Sequence, residues 1–262
     1  MKNYGLYILF IVFSWYSCAP SAGEKNTFGT PLRAPEQILS NVMGFMSYRQ
    51  DFLKLAVDYR TFDTALHPID KAAFLEAFAT GDYLPLRITG NDSAISYKLY
   101  KLPASTSKDV ANTIRYYGEA QLKNFKREGD KFPAFSFSDV NGTVYNNDSL
   151  KNKTVVMKFW FIHCVSCVAE MPRLNELVAE YKDRKDVLFL SMAFDRKDQL
   201  VNFLKNTRFL YHTIPVPESF ISEEVKVSGY PTHIILKDGM IKKIPDGAEE
   251  LVDALEEEVP LK

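Results

Sequence analysis

Cysteine is scarce. The 262-residue chain has three, and two of them stand three residues apart in "FWFIHCVSCVAEMP", Phe159 to Pro172. That count excludes a scaffold stapled by many disulfides. Excess charge of either sign is also lacking, with 32 Lys and Arg against 33 Asp and Glu. No nucleic-acid partner is expected, because phosphate binding needs a basic face. Internal repeats and long low-complexity tracts are missing, which argues against a solenoid or a disordered chain. What remains is a folded globular balance, 46% hydrophobic and 25% charged, with room for one large domain or two small ones.

The N-terminus departs from that balance. Lys2 is followed by "LYILFIVFSWY", an apolar run shorter than the roughly 20 residues a membrane-spanning helix needs. A processed secretory signal fits this length better. The run ends at Ser17–Cys18, so residues 1–17 resemble a bacterial lipoprotein signal. That resemblance implies lipid attachment at Cys18 and a membrane-anchored, periplasmic or cell-envelope location. Trp15 and Tyr16 depart from its usual aliphatic and small residues, and ordinary cleavage nearby is the alternative. Residues 18–34, containing "APSAGEKNTFGTP", read as a tether. With Cys18 lipidated, Cys164 and Cys167 are the two remaining thiols, exported to where disulfides persist. A structural bridge over so short a step would close almost no loop, so its benefit would be small.

Residues 35–128 read as one cysteine-free unit, a smaller and mostly helical α+β domain of unknown role. Ile38, Val42, Phe45, Phe52, Leu55 and Tyr59 recur at helical spacing. "DKAAFLEAFATGD" reads as a second helix capped by Asp70, with Gly81 near its stop. "YLPLRITGNDSAISYKLYKLP" reads as a hairpin, and a third helix follows Thr106 or Ser107 with Val110, Ile114, Tyr117, Leu122 and Phe125 inward. His67 reads as a surface residue. Residues 129–262 change pattern. A hairpin around Asn141–Gly142 precedes "TVVMKFWFI", a continuous apolar strand apart from Lys158. Helices and strands then alternate, which predicts a central sheet flanked by helices, with its antiparallel strands at a last hairpin turning on Asp238–Gly239.

A strand running directly into CxxC and then a helix puts Cys164 at a helix N-terminus. Free backbone N–H groups and the positive dipole end favour a thiolate there. CxxC thiols accordingly titrate below the free value. Cys164 is the expected exposed nucleophile, and Cys167, one turn on, is placed to resolve a mixed disulfide. "FWFIHCVSCVAEMP" with the later "VSGYPTHIILKDG" resembles the thioredoxin superfamily, and more narrowly the membrane-tethered thiol–disulfide oxidoreductases of the TlpA/ResA type. The resemblance covers roughly residues 130–262. It implies a thioredoxin-like α/β fold and an enzyme that reduces protein disulfides through the Cys164–Cys167 couple, with no other cofactor and no metal. It further implies a membrane thiol-electron donor, a cis peptide before Pro231, substrate binding by Tyr230 and Thr232, and Glu170 beside the redox pair. Trp160 matches the aromatic packed beneath the site and is also expected to bind substrate, while Pro172 matches a helix kink.

Three departures from the family pattern bear on tuning. His163 stands where Trp often precedes the first cysteine, and a charged imidazole there would favour the Cys164 thiolate. Val165–Ser166 matches neither thioredoxin nor the strong oxidants, which leaves the redox direction open. Lys158 takes the strand position of thioredoxin's buried acid, and an unpaired buried ammonium is costly, so it is expected to reach Glu170. Two rivals remain open. His163, His233 and two thiolates could surround a copper ion in a metallochaperone, although related copper-delivery proteins use CxxxC. A non-enzymatic binding protein would work through its N-terminal unit. A peroxiredoxin is excluded by the missing Thr-x-x-Cys.

Overall fold

The computed structural model describes residues 28–261; Cys18, the expected signal and the first part of the expected tether lie outside them. No helix among the described residues is long and apolar enough to cross a membrane. Residues 28–34, expected as the end of the tether, belong instead to the folded unit. Gly29 N–H donates to Thr89 O at 3.0 Å and Leu32 N–H to Arg87 O at 2.9 Å, with Pro31 bridging Ile88.

The first stretch of helical periodicity is not one helix. A single turn, α1 (Pro35–Ile38), is followed by α2 (Val42–Phe52), whose Asn41 side chain accepts from Gly44 N–H at 2.9 Å. That cap starts a new helix where the periodicity implied a continuing one. Tyr59 lies beyond both, one residue before β1 (Arg60–Phe62). The strand was not anticipated. It pairs parallel with β3 and makes a three-stranded sheet of the expected hairpin. α3 (Lys71–Ala79) is capped by Asp70, which accepts from Ala73 N–H at 2.8 Å, and is followed by the antiparallel pair β2 (Tyr83–Arg87) and β3 (Ser96–Lys101). α4 (Lys108–Lys126) starts at Ser107 and turns Val110, Ile114, Gly118 and Gln121 inward. A Cβ at Gly118 would stand 2.7 Å from the Phe78 carbonyl, so only glycine permits α3 and α4 to approach this closely.

Beyond Lys126 a short hairpin, β4 (Ser136–Ser138) and β5 (Val144–Asn146), leads into β6 (Thr154–Trp160). Every β6 residue is buried, as a central strand covered on both faces requires. α5 (Val165–Ala169) and α6 (Met171–Glu180) follow, then β7 (Val187–Ala193), α7 (Lys197–Asn206) and β8 (His212–Pro215). A π-helical turn (Phe220–Glu224) precedes the hairpin β9 (Thr232–Lys237) and β10 (Met240–Lys243), and α8 (Ala248–Glu258) ends the fold. The sheet order is β10-β9-β6-β7-β8. β6–β7 and β7–β8 are parallel, while β9 runs antiparallel to both β6 and β10.

Alternation along β6 sorts its side chains. Val155, Met157 and Phe159 enter one core cluster, whereas Val156 and Trp160 serve the opposite face beneath α5, α6 and α8. Lys158 shares that second face. The N-terminal unit docks on the first turns of α8. Glu250 accepts from Ala56 N–H at 2.8 Å and Asp246 N–H at 2.5 Å, Lys54 pairs with Asp253, and Arg49 reaches Asp246 through Nε and Nη2 at 2.8 and 2.9 Å.

Candidate active site

Cys164 and Cys167 are joined by a disulfide, their Cα atoms 5.2 Å apart. Cys164 is the N-cap of α5, and its Sγ accepts from Cys167 N–H at 3.3 Å, with Ser166 Oγ 3.5 Å away. The same donors would serve a thiolate once the bond is reduced. Cys164 is 7% exposed and Cys167 fully buried, so an attacking sulfur can approach only the first. Beside them His163 and Ser166 are exposed and Val165 is 83% exposed, leaving the approach open. The loop is tied from behind by Asp195, whose Oδ2 accepts from Ile162 N–H at 2.9 Å.

The turn from α5 to α6 follows from Pro172 at the second position of α6. Proline has no N–H and clashes with the carbonyl four residues back, so the helix breaks at Glu170, which ends α5 and begins α6. That break sets Glu170 against the β6–β9 pair. Lys158 and His233 stand directly opposite in the antiparallel register, hence on one face. Lys158 Nζ pairs with Glu170 Oε1, and His233 Nε2 lies 2.9 Å from the same oxygen. Lys158 and His233 are fully buried and the Glu170 side chain is 12% exposed.

Three titratable groups thus share one largely buried pocket. Burial alone would raise the Glu170 carboxyl, but His233 and Lys158 overcome it and hold Glu170 below its ordinary value. Burial pushes Lys158 down against the pull of Glu170, and pushes His233 down against the same carboxylate. His233 Nδ1 is buried without a partner among the described residues. A bare lone pair tolerates that, whereas an N–H⁺ would leave a charged donor unsatisfied. His233 is therefore neutral at pH 7 and donates Nε2–H to Glu170, while Lys158 supplies the counter-charge.

Pro231 follows a cis peptide from Tyr230. Tyr230 packs edge-on against Phe161 and Phe194 at centroid distances of 5.4 and 5.7 Å and joins the cluster containing both cysteines. Thr232 Oγ1 donates to Gly229 O at 2.7 Å, which closes the turn around the proline. Tyr230, Pro231 and Thr232 are partly exposed. Trp160 requires a correction. It is fully buried, packed on Phe203 and Phe209 at 5.6 and 5.9 Å, and so supports the pair from below without reaching substrate.

His233 was weighed from sequence only as a copper ligand on an unplaced face. Its register with Lys158 puts it on the same covered face of the sheet, 2.9 Å from Glu170. His163 stands apart, exposed in the loop before Cys164. Among the described residues no group of three His, Cys, Asp or Glu side chains is arranged to hold a metal. The sequence signal for His233 was a polar residue interrupting the apolar run "THIILK".

The Redoxin family model matches residues 127–249. The thiol-disulfide oxidoreductase ResA of Oceanobacillus iheyensis is 33% identical over 139 residues, covering 50% of this chain and 70% of that protein. The thioredoxin-like protein YneN of Bacillus subtilis is 29% identical over 123 residues, 46% of this chain and 72% of that one. A solved thioredoxin domain of a Bacteroides vulgatus thiol-disulfide oxidoreductase covers 50% of this chain and 97% of its own, at 22% identity and a TM-score of 0.46.

Proposed function

Since the chain belongs to the ResA-like thiol–disulfide oxidoreductases of the thioredoxin superfamily, we propose that it reduces protein disulfides outside the cytoplasm, tethered to a membrane by lipid on Cys18. The observation that carries the catalytic part is the Cys164–Cys167 bond itself, capping α5 with only Cys164 open to solvent. In the reduced protein the Cys164 thiolate attacks one sulfur of a substrate disulfide. A mixed disulfide forms and one substrate cysteine leaves as thiolate. Cys167, giving its proton to the departed substrate thiolate, attacks Cys164 Sγ and expels the second substrate thiolate, with the Glu170 cluster one turn away. Two electrons pass to the substrate and the Cys164–Cys167 bond re-forms. A thiol donor must then return two electrons, and a membrane dithiol protein fits a tethered enzyme.

Tyr230, Pro231 and Thr232 border the pair and offer backbone to an extended substrate strand. Lys158 and His233 act through Glu170, setting the charge beneath the sulfurs; His163 is a further tuning candidate at the rim. The experiment is Cys167→Ser expressed in cells. It should accumulate disulfide-linked partners that dithiothreitol releases, whereas Cys164→Ser should capture none. Failure to recover any linked protein, together with failure of the reduced enzyme to precipitate insulin, would refute the reading.

A further inference from the structure

Between α4 and the cis-proline loop lies a groove of about 300 Å³ that continues from Tyr230, Pro231 and Thr232. One wall is the N-terminal unit, the other the thioredoxin-like half. Gln121 lines it at a position where the inward stripe of α4 otherwise carries Val110, Ile114 and Gly118. This residue is 6% exposed, yet its carboxamide makes no hydrogen bond among the described residues and is not sealed from solvent. Solvent reaches that amide, and a peptide entering the groove would take over the hydrogen bonds that water otherwise makes there. Opposite, the backbone N–H groups of Ser228, Gly229 and Tyr230 likewise donate to nothing among the described residues. The carboxamide and the loop N–H groups thus line one groove, wide enough for an extended chain.

The rim is net positive: Glu119 and Asp130 line the adjoining hollow with Lys123 and Lys226, but Glu119 is paired with Arg115 at 2.8 Å. Lys123 and Lys226 are exposed and form no ion pair among the described residues. Lys226 is held outward in a left-handed backbone (φ 58°) between the buried Val225 and Val227, and Arg127 braces that turn by donating to Val225 O at 2.7 Å. The carboxylate of Asp246 is already occupied by Arg49 and Tyr117.

We propose that α4 and the cis-proline loop together form a peptide groove that selects an acidic, extended segment of the substrate protein next to its target disulfide. Gln121 and the loop backbone read the peptide bonds, and Lys123 with Lys226 read the charge. This rests on the redox reading above and assigns the N-terminal unit a part in choosing substrate.

The test uses the reduced full-length chain and two synthetic peptides, identical except that one intramolecular disulfide is flanked by Glu-Glu or by Lys-Lys. 2-Hydroxyethyl disulfide serves as a substrate too small to reach α4. At low ionic strength the acidic peptide should be reduced about tenfold faster than the basic one, the low end of electrostatic steering, and the ratio should fall toward one in high salt. Lys123→Glu/Lys226→Glu should abolish or invert the ratio. Gln121→Leu should slow both peptides about fivefold relative to the small disulfide, as loss of one hydrogen bond predicts. Equal rates on the two peptides, with the small disulfide reduced, would overturn the groove alone. If none of the three disulfides is reduced, the redox reading falls and takes the groove with it.

Discussion

Replacing Lys158 by methionine removes the charge at the centre of β6 while keeping the side chain's bulk. The loss can be bounded from the site. Lys158 is fully buried and Glu170 is its ion-pair partner, so the variant strands a carboxylate that keeps only the His233 hydrogen bond. Breaking a buried pair on one side costs about 3–5 kcal/mol if the remaining charge persists. Glu170 has an escape, which is to take up a proton. Holding a carboxyl of ordinary value 4.5 protonated at pH 7 costs about 3.4 kcal/mol, at about 1.36 kcal/mol per pH unit. Escape therefore caps the loss, and about 3 kcal/mol is expected at pH 7. The sign with pH follows. In the native protein Glu170 is depressed, so its contribution is present above 4.5 and is lost as pH falls through the folded value. In the variant Glu170 is raised, so its penalty is present above 4.5 and vanishes below it. Both trends shrink the difference in acid, to about 1 kcal/mol or less at pH 4.5. Urea unfolding of the oxidised proteins at both pH values measures it. A loss under about 0.5 kcal/mol at pH 7, or one equal at the two pH values, would refute the pairing as a source of stability.

The same variant should raise the pH midpoint of Cys164 alkylation by iodoacetamide by about a unit. Above pH 7 Glu170 ionises even without its partner and then repels the nascent thiolate; an unchanged midpoint would separate Lys158 from the sulfur. Glu250 is buried at the interface between the two halves, and burial raises its carboxyl to about 7 despite the Ala56 and Asp246 N–H donors. Being raised, it favours folding increasingly as pH falls from 7 toward 4.5, so the urea midpoint should climb over that window and do so less in Glu250→Gln. Asp246→Ala deprives Arg49 and the buried Tyr117 hydroxyl of their shared acceptor, at an expected cost of about 3 kcal/mol. A loosened interface should also split or broaden the unfolding transition, which a single sharp transition of unchanged midpoint would contradict.

The C-terminal half was legible because its signals are local. "TVVMKFWFI" is apolar on both faces, "VSCVAEMP" carries its own helix break, and Asp238–Gly239 marks its hairpin. The N-terminal half was less so. Helical spacing from Ile38 to Tyr59 ran across the Asn41 cap, and nothing local announced that Arg60–Phe62 would pair parallel with a strand some 36 residues on. Parallel pairing leaves no turn to read. Residues 28–34 looked polar and loose, yet their order comes from backbone hydrogen bonds to Arg87 at the end of β2 and to Thr89 just beyond it, which composition does not encode.

The site divides along the same line. Cys164, Cys167 and Glu170 lie within seven residues and their relation follows from helical geometry, so their chemistry was readable in one dimension. His233 was not, because its place depends on the antiparallel register between β6 and β9. A trace was nevertheless present. Two largely apolar strands each bury one basic residue, Lys158 and His233, and a buried polar residue without a partner is too costly to keep. Each predicts the other, and both require an acid. Glu170 is the acid that a broken helix can deliver there, which is why Pro172 belongs to the chemistry of the site as much as to its shape: without the break at Glu170, the carboxylate would follow the helix axis and lose its place over the two strands.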